Sequence, residues 1–220
     1  MLQKLLSYLI PINVHQQNSD INKSLEVTWN NGKLVLDSKN TNYSYGSLQR
    51  ALKKGLRFIG FERIRNFENT LVLGVAGGSV IKTLVEEIKY KGKITGVEID
   101  NRVLELANQY FKLNEIENLT LVNDDAFEYV LKTKEKYDLI IIDIFQDTVM
   151  PNFLFEDFFI NHVNSLLHVN GFILFNTMVL TEKDKERNRL YRSKFKENYS
   201  LRMYPKIEEH NELFTIKKLS

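Results

Sequence analysis

Cysteine is missing from this 220-residue chain altogether. That excludes disulfides and thiolate metal sites, and it permits a reducing compartment, so a cytoplasmic location is expected. Histidine is scarce: His15, His162, His168 and His210 show no ligand spacing, and no metal is expected. Neither sign of charge dominates, since 30 basic residues face 28 acidic ones. A near-balanced surface of this kind gives no strong field for nucleic acid or membranes. Repeats, low-complexity tracts and long linkers are lacking too. So is any apolar run near the roughly 20 residues that span a bilayer. The N-terminal Leu2, Leu5, Leu6, Tyr8, Leu9 and Ile10 form a short apolar stretch closed by Pro11. A secretory signal would need a longer run and a small-residue cleavage site, and Asn13 to Gln17 offers none. A docking helix, at a homodimer contact, is the expectation.

What is present centres on Asn69 to Asp100. Thr70 to Leu73 is an apolar run too short for a helix, glycines stop it, and Val80, Ile81, Leu84, Val85 and Ile88 then recur at helical spacing. The pattern predicts a strand, a tight turn and a helix. Gly74 and Gly78 let the backbone bend and come close to a ligand, beside the free N–H groups of the helix start. A second strand, Lys93 to Val97, ends in Glu98, with Ile99 and Asp100 following. An acid roughly 20 residues beyond such a turn is placed to hold ribose hydroxyls. Tight packing of a helix on a strand would also produce the glycines. The turn reads Gly74-Val75-Ala76-Gly77-Gly78-Ser79, which departs from the dinucleotide spacing Gly-x-Gly-x-x-Gly. With Ala76 in its middle slot it resembles the first motif of S-adenosylmethionine-dependent transferases.

Around this centre the chain reads as alternating strands and helices. Leu25 to Trp29 and Lys33 to Asp37 flank Asn30-Asn31-Gly32, a hairpin signature. Asn40 to Gly46 is polar and turn-rich, Ser47 looks like a helix cap, and Leu48, Ala51, Leu52 and Leu56 make one apolar stripe before Gly55 to Gly60 breaks it. Val103 to Phe111 is a second amphipathic helix, and Leu119 to Val122 a third strand. Asp124, Asp125 and Ala126 follow. One acid can cap the next helix and the other can accept from an adenine amine, with Asp124 expected as the cap and Asp125 as the contact. Tyr137 to Asp143 is a nearly continuous apolar strand, as in a parallel sheet covered on both faces. Asp143 at its carboxyl end stands where open α/β sheets place their chemistry. Phe145 to Pro151, including Gln146 and Asp147, forms a loop suited to a substrate pocket. Phe153 to Leu167 and Glu182 to Asn198 are expected as helices, with a strand from Phe172 to Asn176 between them, and two strands around Pro205 finish the chain.

In order, these segments resemble the spermidine synthase branch of the adenosylmethionine-dependent transferases. Leu34 to Asp37 resembles the end of that family's N-terminal hairpin, and Tyr45 the start of its Tyr-[His/Gln]-Glu-Met segment. Leu71 to Ser79 is similar to its glycine loop, Val97-Glu98-Ile99-Asp100 to its Val-Glu-Ile-Asp, and Asp125-Ala126 to its Gly-Asp-Ala. Tyr137 to Asp143 is similar to the strand before Asp-Ser-x-Asp-Pro, and Tyr204-Pro205 to a late Tyr-Pro. The resemblance implies an α/β, Rossmann-like, doubly wound and mostly parallel sheet of the class I methyltransferase type. It also implies a small N-terminal β-hairpin unit, with residues 1–60 as the N-terminal part and 61–220 as the transferase domain. It further implies that Gly74, Ala76, Gly78, Glu98, Ile99, Asp125 and Ala126 hold S-adenosylmethionine or its decarboxylated form. Asp143 and Tyr45 are then the catalytic side chains, and Gln146, Asp147 and Tyr204 shape the acceptor pocket. Gly77 and Gln146 depart from the family, which has aspartates there that would pair with putrescine's ammonium groups. The expectation is therefore a methyltransferase acting on a small acceptor. An aminopropyltransferase and a non-catalytic nucleoside-binding protein are the alternatives.

Overall fold

The computed structural model describes residues 2–19, 21–38, 46–146 and 149–220, together with the backbone of 41–44. Tyr45 and Asp147, expected at the site, lie outside the described residues.

Helix α1 (Leu2–Leu6) leads into a sequentially ordered antiparallel sheet of β1 (Ile12–Ser19), β2 (Lys23–Asn30), β3 (Lys33–Ser38) and β4 (Thr41–Ser44). The expected hairpin joins β2 to β3: Asn31 and Gly32 both take positive φ, 48° and 74°, the left-handed pair that matches the twist of two strands. Strands β1 and β4 extend it. Their sequences are too polar to alternate visibly, so the expected turn-rich stretch 40–46 contains a strand.

The helices α2 (Gly46–Ile59) and α3 (Phe61–Arg65) precede the large sheet. After them the chain runs β5 (Asn69–Leu73), α4 (Ser79–Lys82) with π-helical turns continuing over Thr83–Ile88, β6 (Lys93–Glu98), α5 (Asn101–Phe111), β7 (Leu119–Asn123), α6 (Ala126–Lys132) and β8 (Tyr137–Ile142). It closes with α7 (Asp157–Leu166), β9 (Leu167–Met178), α8 (Glu182–Ser193), β10 (Tyr199–Ile207) and β11 (Asn211–Lys218). The strand order is β10-β11-β9-β8-β5-β6-β7. Strands β5 to β9 pair in parallel, while β11 is antiparallel to both β9 and β10. From β5 the chain winds outward through β6 and β7 and then returns to β5's other side as β8. That reversal opens a crevice beyond the strands' carboxyl ends.

Each buried strand feeds two cores by alternation. Leu71, Leu73, Ile140 and Ile142 pack with Phe159, Val163, Phe175 and Phe214 on one face. Val72, Leu139 and Ile141 pack with Leu52, Leu56, Ile81 and Leu84 on the other. Helix α2 thus belongs to the core of the large sheet. It runs straight through Gly55, where the sequence suggested a break, because a Cβ there would stand 2.5 Å from Leu174 Cδ1. The glycine serves close packing. A third core joins Leu25, Val27 and Leu36 of the small sheet to Val103, Leu106 and Phe111 of α5. Among the described residues no helix is long and apolar enough to cross a membrane.

Candidate active site

Strand β5 ends in the glycine turn. Gly74 has φ +89°, and a Cβ there would lie 2.1 Å from the backbone oxygen of Asp143. In the adjacent strand pair, Asp143 N–H donates to Leu73 O at 2.9 Å. The turn after β5 and the loop after β8 therefore touch through main chain. Ala76 takes φ +47°, which costs a non-glycine residue about 1–2 kcal/mol. Glu98 stabilises it from β6: Oε2 accepts from Val75 N–H and Ala76 N–H, both at 3.1 Å, and Oε1 accepts from Asp100 N–H at 3.2 Å. The carboxyl is buried, which pushes its pKa up against the pull of those three N–H bonds. A carboxylate has about four acceptor positions, so about one remains, on Oε1.

Asp125 is the N-cap of α6, with Oδ1 accepting from Phe127 N–H at 2.7 Å. This corrects the expected division of labour, because Asp125 has the extended backbone immediately before the first helical residue. Asp124 accepts from Asp125 N–H at 2.9 Å instead. The second oxygen of Asp125 makes no hydrogen bond among the described residues, and Asp125 also lines the cleft. Capping and ligand contact are compatible in one side chain.

Asp143 is half-buried, with its pKa pushed up to about 6 by burial and by the charge of Glu98. Asn176 Nδ2 opposes the rise by donating to Asp143 Oδ1 at 2.9 Å. Sequence reasoning missed Asn176. The signal was an asparagine ending the apolar run Phe172 to Phe175, and parallel pairing of Ile142 with Phe175 sets it beside Asp143.

Gly74, Ala76, Glu98, Asp125 and Asp143 line one cleft of about 460 Å³. Of the expected residues it gathers Gly74, Ala76, Glu98, Ile99, Asp125, Ala126, Asp143 and Gln146. Gly78 and Tyr204 stand apart from that lining. Gly78 (φ +75°) starts α4 and leaves room for Leu113, whose Cδ1 would be 2.5 Å from a Cβ. Tyr204 stacks on Phe58 at 3.8 Å between ring centroids, because β10 is the sheet's edge strand and α2 covers it there. Residues from remote segments complete the cleft: Ile21 from the β1–β2 turn, Leu48 from α2, then Phe145, Pro151, Phe153, Met178 and Asn211. Gln146 Nε2 reaches Ile21 O at 3.4 Å. Asp100 lies outside it: buried, it accepts from Ser19 Oγ and from Asn22 Nδ2 (2.7 Å) while capping α5 through Arg102 N–H (2.9 Å). Among the described residues no three His, Asp or Glu side chains converge to hold a metal ion.

A glycine turn and two acids, Glu98 and Asp125, share one crevice, an arrangement able to hold a nucleoside. The spermine/spermidine synthase domain model matches residues 27–212. The chain belongs to the spermine/spermidine synthase domain family. Among similar members, the polyamine aminopropyltransferase of Vibrio vulnificus (strain CMCP6) is 30% identical over 139 residues, covering 62% of this chain and 46% of that protein. That of Methanocaldococcus jannaschii is 35% identical over 114 residues, covering 50% and 38%. This spermine/spermidine synthase domain chain therefore spans about half, or less, of the length of the curated relatives it matches. In fold it is similar to spermidine synthase from Thermotoga maritima, with a TM-score of 0.72 at 19% identity over 95% of this chain and 73% of that one. Human methyltransferase-like protein 13 in complex with SAH gives 0.66 at 22% identity, over 80% and 86%. The Rossmann-like, mostly parallel fold expected from the sequence is thus the fold observed.

Proposed function

We propose that this chain binds decarboxylated S-adenosylmethionine and transfers its aminopropyl group to an amine. Family membership supports this reading, as do the aminopropyltransferase names of the relatives. The observation that carries it is Asp143, a half-buried carboxylate with a pKa near 6 in the same cleft as Glu98 and Asp125. Methyl transfer to a small acceptor, expected from the sequence, has only the fold in its favour. Glu98 would take a ribose hydroxyl on its remaining Oε1 position and Asp125 the adenine amine, with Ile99 and Ala126 against the base.

The acceptor arrives as an ammonium and must be a free amine to react. Ionised Asp143 would take that proton, directly or through water, and hold the amine by the hydrogen bond so formed. The nitrogen lone pair then forms a bond to the methylene carbon next to sulfur. The carbon–sulfur pair returns to sulfur, leaving neutral methylthioadenosine; the product leaves as a secondary ammonium, and Asp143 gives the proton it took to solvent. Alignment of nitrogen, carbon and sulfur supplies most of the rate, since the sulfonium is already activated. The exposed Leu2, Leu5, Leu6, Leu9 and Ile10 would be covered by a second copy of the chain in a homodimer.

Incubation with decarboxylated S-adenosylmethionine and a panel of amines should release methylthioadenosine. S-adenosylhomocysteine formed from S-adenosylmethionine would favour methyl transfer instead. Silence in calorimetry with both donors and with methylthioadenosine would favour the non-catalytic reading.

A further inference from the structure

Asn211 is the first residue of β11, and its partner across the ladder is Met178, the last residue of β9. Residues directly opposite in an antiparallel pair share a sheet face, and two positions back along β9 the same face carries Asn176. Asn176, Met178 and Asn211 thus form one short wall beside Asp143, and Met178 and Asn211 line the cleft. Asn211 is only 8% exposed; its carboxamide makes no side-chain hydrogen bond to another described residue, and its polar atoms stay open to the cleft that it lines. An amide in that position keeps its donors and its acceptor available to whatever occupies the cleft, and an entering group replaces the water there without loss when it supplies both kinds of hydrogen bond. Gln146, on the loop after β8, adds a second neutral amide to the same lining.

We infer that Asn211 is a specificity-determining residue for the acceptor, and that it selects an amine whose far end carries an uncharged group able both to donate and to accept a hydrogen bond, such as a hydroxyl or an amide. The chemistry follows from the inventory of the groups. A carboxamide presents two N–H donors and one carbonyl acceptor. A hydroxyl can satisfy both kinds. An ammonium can only donate, so it uses the carbonyl, faces the amide N–H groups without an acceptor, and loses its hydration without gaining a counter-charge. This inference rests on the aminopropyl-transfer reading and narrows its acceptor.

The test compares three acceptors of equal carbon chain, putrescine, aminobutanol and butylamine, each with decarboxylated S-adenosylmethionine, by methylthioadenosine release. The unmodified protein should show a kcat/KM for aminobutanol about tenfold above that for putrescine, the difference that one satisfied hydrogen bond represents. Asn211→Asp, nearly isosteric, should invert that order. Asn211→Leu should lower the ratio of aminobutanol to butylamine about tenfold. Calorimetry of the same three acceptors in the presence of methylthioadenosine should give the same ranking as binding. A preference for putrescine in the unmodified protein, or an order unchanged by Asn211→Asp, overturns the role of Asn211 while leaving aminopropyl transfer standing. Release of methylthioadenosine with no amine at all overturns both.

Discussion

At the scale of single residues, Asp143 ties stability to chemistry. Its ordinary pKa of 3.8 rises to about 6 in the folded chain, burial being the main cause. Between those values the folded state binds more protons than the unfolded one, so this residue's contribution to stability declines as pH rises through that window. At neutral pH the ionised carboxylate is a net cost. Asp143→Asn should therefore raise the melting midpoint at pH 7 while lowering kcat by about 10²–10⁴. A midpoint equal to or below that of the parent would refute the stability half. Asp37, pushed up to about 6 by burial and by Glu26 directly across the β2–β3 ladder, adds a parallel slope that this variant leaves in place. The activity of the unmodified protein should fall below about pH 6 in kcat/KM, where Asp143 protonates. In kcat the limb should move lower, because a bound sulfonium favours the charged form. Glu98→Ala leaves three backbone N–H groups without their acceptor. It should cost about 3 kcal/mol by urea unfolding and abolish methylthioadenosine binding in calorimetry.

Elements carry the next level, and here the sequence was informative where local chemistry rules and silent where distant segments meet. The hairpin at Asn31-Gly32 and the continuous apolar strand β8 were legible because turn geometry and two-sided burial leave direct marks in composition. The polar strands β1 and β4 carry no such mark, since ladder hydrogen bonds are blind to side chains. Likewise Asp100 reads as a companion of Glu98 until the structure shows it buried against Ser19 and Asn22, partners that lie far upstream. Asn176 and Asn211 escaped notice for the same reason: strand pairing puts Asn211 at the cleft and Asn176, fully buried, against Asp143. Asp100 joins the β1–β2 turn to the start of α5, so Asp100→Ala removes a cap worth about 1 kcal/mol and strands two buried donors. A total loss near 3 kcal/mol is expected. Amide exchange should accelerate across β1 and β2 well before β5 or β8, and uniform acceleration would argue against a local joint.

For the whole molecule, the exposed apolar N-terminus sets the prediction. Leu5 is 62% and Leu9 83% exposed, and Leu2, Leu6 and Ile10 of the same short stretch are exposed with them. Light scattering should report twice the chain mass. The double substitution Leu5→Asp with Leu9→Asp should return the single-chain mass without shifting the far-ultraviolet spectrum, and a monomeric parent would discard the homodimer.

The main-chain contact between Gly74 and Asp143 has a consequence for how such a protein diversifies. In the proposed transfer, the sulfur-side and nitrogen-side halves would be spaced by peptide atoms, which no rotamer change can stretch. Under that proposal, drift in the surrounding amides and rings would re-tailor which nucleophile is welcomed while the gauge of the reacting centre stayed constant. At position 74 itself drift is closed off: Gly74→Ala would force a methyl into a carbonyl oxygen, and total collapse of nucleoside binding, whatever the acceptor, is the expected signature.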